Sequence, residues 1–335
     1  MEQARFWQMA GRGRVRCGLC AHGCVIPEGR TGRCAVRRNR DGVLYSENYG
    51  EMAALALDPV EKKPLLHFLP GSTTYSYAAR GCNFHCAFCQ NASLSQANGF
   101  TIPSRQIGPE ALVAQAVRSG ARSISFTYSE PTVFFEFAED TARLARLQGL
   151  RNVFVTNGFM SPAACQAAAS FLDAVNVDLK CFSEATYRKV MGGALGPVLE
   201  NIRVLHAAGV WLEVTTLLVP SMNDSEAEFR AIARFLASVS VDLPWHLSRF
   251  HPQYRMTDRD PTPVALLRRA CDIGREEGLR FVYTGNVPGE EGESTRCPDC
   301  RTRLIQRHGC SVSSSNLLPD GRCPHCGLAM PGVFD

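Results

Sequence analysis

The chain has 335 residues, 45% of them hydrophobic and 20% charged, a composition that can bury a large core and excludes a disordered or fibrous protein. Its net charge of +4 is too small to name a polyanionic partner. No window approaches about eighteen uninterrupted apolar residues and the N-terminus lacks a signal-peptide core, so a cytoplasmic protein with no membrane partner is expected.

The first element in chain order is a module spanning residues 1–72. It carries Cys17, Cys20, Cys24 and Cys34 in the pattern C-x2-C-x3-C-x9-C, with Gly23, Gly29 and Gly32 between them. That spacing suits a compact four-ligand knuckle, for zinc as the first choice or for a second cluster feeding electrons to another. Nine arginines within the first forty residues allow an RNA-binding arm, but few aromatics accompany them for base stacking, and a solvated basic face is the simpler expectation.

Residues 73–284 alternate short β-rich runs with longer helical ones, which is how parallel βα units read. Strands are expected at 74–79, 123–128, 152–157, 174–180, 211–219, 245–250 and 279–284. Segments such as PEALVAQAVRSG, TVFFEFAEDTARLARLQG and DSEAEFRAIARFLASV supply the crossover helices. The class is α/β, either a barrel or partial barrel or a doubly wound sheet, and both place chemistry at the strand C-termini. The notable residues sit there: a three-cysteine loop after the first strand, Glu130 after the second, Asn157 after the third, Lys180 after the fourth and His251 after the sixth.

Past the linker TGNVPGEEGEST, residues 285–335 form a third module. Its pairs Cys297/Cys300 and Cys323/Cys326, set in CPDC and CPHCG, have the spacing of a zinc ribbon or a rubredoxin-like iron site, and zinc is the first choice.

The central group, Cys82, Cys86 and Cys89 in GCNFHCAFCQN, has only three thiols. A cluster cube held by three thiolates leaves one iron open to a small molecule. The C-x3-C-x2-C spacing, with Phe88 before the third cysteine, resembles the signature of the radical S-adenosylmethionine (SAM) enzymes. The resemblance implies a [4Fe-4S] cluster on these cysteines and SAM on the open iron, cleaved reductively to a 5′-deoxyadenosyl radical that abstracts hydrogen from a substrate. It also implies a partial (β/α)6 TIM-like barrel flanked by the two small metal-binding modules. Tyr128, Ser129 and Glu130 stand where the superfamily has a glycine-glycine-glutamate element that holds the SAM amino group; here two side chains replace the glycines.

A closer resemblance is to the activating enzymes of the pyruvate formate-lyase type, carried by Thr156-Asn157-Gly158, by Asp178-Leu179-Lys180 and more loosely by RFHPQY at His251. It implies that Lys180 neutralises the SAM carboxylate, that Asp178 orients it or a cation, that Asn91 contacts the methionyl end and that His251 lies near the adenosyl group. Val155 replaces the carboxylate that precedes Thr-Asn-Gly in those enzymes. Over nearly the whole chain the layout resembles the AmmeMemoRadiSam system radical SAM enzymes, which implies the partner proteins of that system and a reducing electron donor. The substrate stays open between a protein, an RNA and a small metabolite. The alternatives are an RNA-modifying radical SAM enzyme and a non-catalytic, zinc-dependent binding module.

Overall fold

The computed structural model describes residues 1–96, 103–289 and 291–335; Glu290, within the expected linker, lies outside the described residues. The fold is mixed α/β with parallel strands, as the alternation predicts. The strands are β1 (Thr73–Ala78), β2 (Ser123–Phe126), β3 (Arg151–Thr156), β4 (Ala174–Asp178), β5 (Trp211–Leu218), β6 (Trp245–Arg249) and β7 (Val282–Gly285). By contacts the chain divides into two compact units.

The first unit comprises Met1–Asp58, Thr73–Val175 and Glu184–Val210, so the N-terminal cysteine segment belongs with the early strands. Here β1, β2 and β3 run parallel with β2 in the middle, Ser125 opposite Ser76 on one side and Val153 on the other. Helices α1 (Pro109–Arg118), α2 (Phe135–Leu147), α3 (Pro162–Ala169) and α4 (Leu195–Ala207) lie between and after them. Helix α3 starts where Ser161 accepts the N–H of Ala164 at 3.2 Å and Pro162 takes the first turn, which needs no donor there.

The fully buried rings of Phe126, Phe135 and Phe154 form an edge-to-face chain through Phe171, with centroids 5.6–5.8 Å apart. Such contacts add about 0.5–1.5 kcal/mol each beyond area burial. Amid this apolar packing, Arg37 donates through Nη2 to both carboxylate oxygens of Glu136, the two side chains each 1% exposed. The N-terminal segment folds as short antiparallel ladders, Trp7–Met9 with Val15–Cys17 and Val25–Ile26, and Arg37–Arg40 with Val43–Ser46.

The second unit comprises Pro59–Ser72, Asn176–Ser183 and Trp211–Asp335. In it β5, β6 and β7 run parallel, Thr215 opposite His246 and His246 opposite Tyr283, with helices α5 (Glu226–Val239) and α6 (Val264–Glu276) as crossovers. The C-terminal segment is an antiparallel sheet, Thr295–Arg296, Arg303–His308 and Ser311–Ser315. Its buried residues Cys297, Leu304, Ile305 and Cys323 cluster with Leu66, Phe281 and Tyr283.

Glu213, fully buried on β5, organises this unit's polar interior. Its Oε1 accepts from the His67 N–H at 2.8 Å and the Trp211 indole at 2.9 Å; its Oε2 accepts from the Leu66 N–H at 3.0 Å and meets His246 Nε2 at 2.6 Å. His67 in turn lies 2.6 Å from the Tyr283 hydroxyl and 2.8 Å from the Pro331 carbonyl.

Candidate active site and metal centres

The loop after β1 carries the three-cysteine group. It begins at Gly81, whose φ of +105° is closed to ordinary side chains, and a Cβ there would stand 2.9 Å from Val36 and 3.1 Å from the Cys34 carbonyl. Cys86 is buried at 7%, Phe88 at 4%, and Cys82 and Cys89 are half-buried. Cys82 Sγ accepts the Phe84 N–H at 3.3 Å and the Asn157 side-chain amide at 3.8 Å, and Cys89 Sγ lies 3.1 Å from the Ser95 hydroxyl. Burial, and then the charge of Glu130, push the Cys82 thiol well up, so loading a metal there must expel a proton.

Three thiols, two of them with hydrogen-bonding groups at sulfur, fit a cluster that takes three protein ligands. Among the described residues, these three sulfurs do not all lie within 4.8 Å of one another, as ligands of a single small ion would. Asn91 sits at the start of the short helix Ala92–Ser95, which immediately follows the loop, and makes no side-chain cap there.

After β2 the chain turns sharply. Tyr128 takes φ +63°, the left-handed conformation that a glycine would adopt freely. Side-chain bonds hold it: the Tyr128 hydroxyl donates to Asp58, and the Ser129 hydroxyl donates to the Ala79 carbonyl. Asp58 also accepts from Ser76 at 2.7 Å.

Glu130, 3% exposed, caps the 3-10 turn Pro131–Phe134 and does more than cap it. Its Oε1 accepts from the Thr132 N–H at 3.0 Å and from the hydroxyls of Thr132 and Thr156, both at 2.6 Å; its Oε2 accepts the Asn157 N–H at 2.8 Å. Burial pushes its carboxyl above the ordinary range, with these donors opposing. The carboxylate thereby ties the ends of β2 and β3 together. Asn157, so placed, donates through Nδ2 to Asn83 Oδ1 at 2.7 Å and accepts the Phe159 N–H through Oδ1 at 3.0 Å.

Cys82, Glu130, Thr156 and Asn157 are thus linked within the first unit. Asn83, Thr132 and Asp58 complete the arrangement and were not singled out from the sequence; Asn83, inside the cysteine motif itself, offered the one usable signal.

In the second unit, Lys180 pairs with Asp178 at 2.9 Å just beyond β4, and its carbonyl accepts from Asn223 at 2.7 Å. Neighbouring Cys181 is fully buried. His251 follows β6 and is exposed.

The C-terminal four converge: all ligand atoms of Cys297, Cys300, Cys323 and Cys326 lie within 4.8 Å of one another, with Sγ–Sγ distances of 3.5 Å for Cys297–Cys326 and 3.6 Å for Cys300–Cys323. Four thiolates about 2.3 Å from one tetrahedral ion stand roughly 3.8 Å apart, so this group fits a single metal ion. No helix among the described residues is long and apolar enough to cross a membrane.

Residues 76–236 match the family model described as Radical SAM superfamily. An uncharacterized protein of Methanocaldococcus jannaschii is 43% identical over 329 residues, covering 98% of both chains. The isethionate sulfite-lyase activating enzyme of Oleidesulfovibrio alaskensis is 30% identical over 134 residues, 38% of this chain and 43% of that one. Among solved structures, a radical SAM methyltransferase from Sphaerobacter thermophilus superposes with a TM-score of 0.52 at 18% identity, covering 66% of this chain and 68% of that one, a likeness that shows the shared fold.

Proposed function

The chain belongs to the radical SAM superfamily, related to the activating enzymes, and from that premise we propose an enzyme that cleaves SAM reductively at Cys82, Cys86 and Cys89 and abstracts hydrogen from a macromolecular substrate. The observation that carries this reading is the three-thiol loop joined through Asn157 to the Glu130 anchor.

When bound, the [4Fe-4S] cluster and SAM supply the one-electron cleavage of the sulfonium, with 5′-deoxyadenosine as the stable product. The protein's share is placement. The Asn157 amide and the Phe84 N–H orient Cys82 sulfur, and Glu130 fixes the backbone from which Asn157 projects. We assign to Lys180 the neutralisation of the SAM carboxylate, with Asp178 holding the ammonium group in place. Buried Phe84 and Phe88 keep water from the loop.

The activating-enzyme relatives favour a protein as substrate, and the resemblance in layout favours the partner proteins of the AmmeMemoRadiSam system, with a low-potential protein as electron donor. The test is anaerobic reconstitution with iron and sulfide, reduction and addition of SAM. Wild type should release 5′-deoxyadenosine and the Cys82/Cys86/Cys89→Ala triple variant should not; equal release by both ends the proposal.

A further inference from the structure

We propose that Cys17, Cys20, Cys24 and Cys34 hold a second iron–sulfur cluster, seated against the loop of the first, rather than a structural zinc ion. The four cysteines line one cavity, together with Arg37 and Asn83. Asn83 belongs to the loop of Cys82, which makes this cavity and the three-thiol loop neighbours within one unit.

The spacing of the thiols separates the two metals. Around one tetrahedral zinc, sulfurs stand roughly 3.8 Å apart, and the C-terminal four are drawn in to 3.5 and 3.6 Å. Across an iron–sulfur core, thiolates bound to different irons stand about 6 Å apart. Among the described residues, no three ligand atoms of the N-terminal four come within 4.8 Å of one another, the same openness as in Cys82, Cys86 and Cys89. One molecule thus holds an ion-sized thiol group and two wider ones.

A second observation points to an anionic occupant. Arg37 is 1% exposed and spends its terminal nitrogens on Glu136 and the Arg5 carbonyl, yet its buried Nε has no partner. A guanidinium N–H left over in a cavity of thiols suits a negatively charged metal–thiolate core.

The contacts between the two cysteine groups are direct. His22 Nε2 lies 2.8 Å from the Asn83 carbonyl, and the Cys34 carbonyl lies against Gly81. The loop after β3 joins in: Ala21 N–H donates to the Phe159 carbonyl at 3.3 Å and Ser161 N–H to the Leu19 carbonyl at 3.0 Å. Held by these four cysteines, a cluster would supply a one-electron relay from an external low-potential protein donor toward the site of Cys82, Cys86 and Cys89. No bond is made or broken and no proton moves.

This role rests on the reading of the three-thiol loop as the SAM-cleaving site, but the presence of the second cluster does not. The experiment is iron, zinc and acid-labile sulfide analysis of the full chain after anaerobic reconstitution. The Cys82/Cys86/Cys89→Ala variant should retain about two to four sulfides per chain and a visible absorption band, since only an iron–sulfur core carries sulfide. A Cys20→Ser/Cys24→Ser variant should lose that share and keep the rest.

Complete loss of sulfide in the triple variant, with zinc in its place, overturns the inference and leaves the SAM-cleaving reading intact. Sulfide equal to wild type in the triple variant does the reverse. Should the triple variant fail to fold, the Cys20/Cys24 variant decides: sulfide unchanged from wild type overturns the inference.

Discussion

Replacing Glu213 with Gln should destabilise the second unit by about 3 kcal/mol, and the figure can be reached by two routes. The carboxylate is fully buried; burial opposes its ionisation, but the hydrogen bond and charge of His246, the charge of His67 and the Trp211 indole outweigh it and hold the pKa at about 2 against an ordinary 4.5. A shift of that size corresponds to at most about 3 kcal/mol favouring the charged form, since the share owed to the His67 charge is absent wherever that imidazole is neutral. Because the folded pKa is depressed, the share of this stability that comes from hydrogen bonds is present above about 4.5 and is lost progressively as pH falls from there through about 2.

The second route counts hydrogen bonds. A glutamine amide must turn its NH2 toward either the Leu66 N–H or the His67 N–H, leaving one buried backbone donor facing another. That costs about 1–3 kcal/mol before the weakening of the charge-assisted bonds to His246 and Trp211 is added. The assay is urea unfolding at pH 7.5 followed by tryptophan fluorescence, with Trp211 bonded to the mutated group as reporter. The midpoint should fall by about 1–2 M at unchanged slope. A midpoint within about 0.2 M of wild type would refute the claim that this carboxylate organises the unit.

Two further outcomes are expected. Gly81→Ala forces a Cβ to within 2.9 Å of Val36 and 3.1 Å of the Cys34 carbonyl at a φ of +105°, and should cost about 2 kcal/mol or more and lower the iron bound per chain; a fully loaded variant of wild-type stability would contradict the contact. His67 is held at about 4 by burial, against the pull of the Glu213 charge, so its imidazole should remain neutral at pH 5.5 in an NMR titration. The unfolded chain binds this proton first, and stability should therefore decline as pH falls from 6.5 toward 4; titration of His67 near 6.5 would show the site to be open to water.

The parallel strands were legible because each is a short apolar, β-branched run between glycine-ended amphipathic helices, and all seven appear within a few residues of their expected bounds. The second was read through Tyr128 and ends at Phe126, because aromatic residues look like strand while the left-handed φ of Tyr128 depends on a hydroxyl contact to Asp58, seventy residues earlier. The last was read from Leu279 and begins at Val282. The N-terminal ladders of two to four residues are too short to show any period.

The three-thiol loop and the Thr156–Asn157 strand end were legible from spacing and order. What Glu130 does with its oxygens was not, since its four donors come from residues 132, 156 and 157 and only the first is a local cap. Glu213 and Arg37 were silent for a related reason. A charged residue within a strand reads as a solvent-facing position until its partners, distant in sequence, are seen to enclose it.

The bond between Tyr128 and Asp58 also bears on how this chain can drift over evolutionary time. A bulky residue in a left-handed turn is tolerable while its far end is moored, and Asp58, 5% exposed, has one of its oxygens shared between that mooring and Ser76. Exchange of Tyr128 alone removes a donor from a buried carboxylate, and exchange of Asp58 alone takes away one of the bonds that hold the turn, leaving that of Ser129 to the Ala79 carbonyl. Among descendants of this sequence the two positions should covary, glycine at 128 arriving together with an uncharged residue at 58.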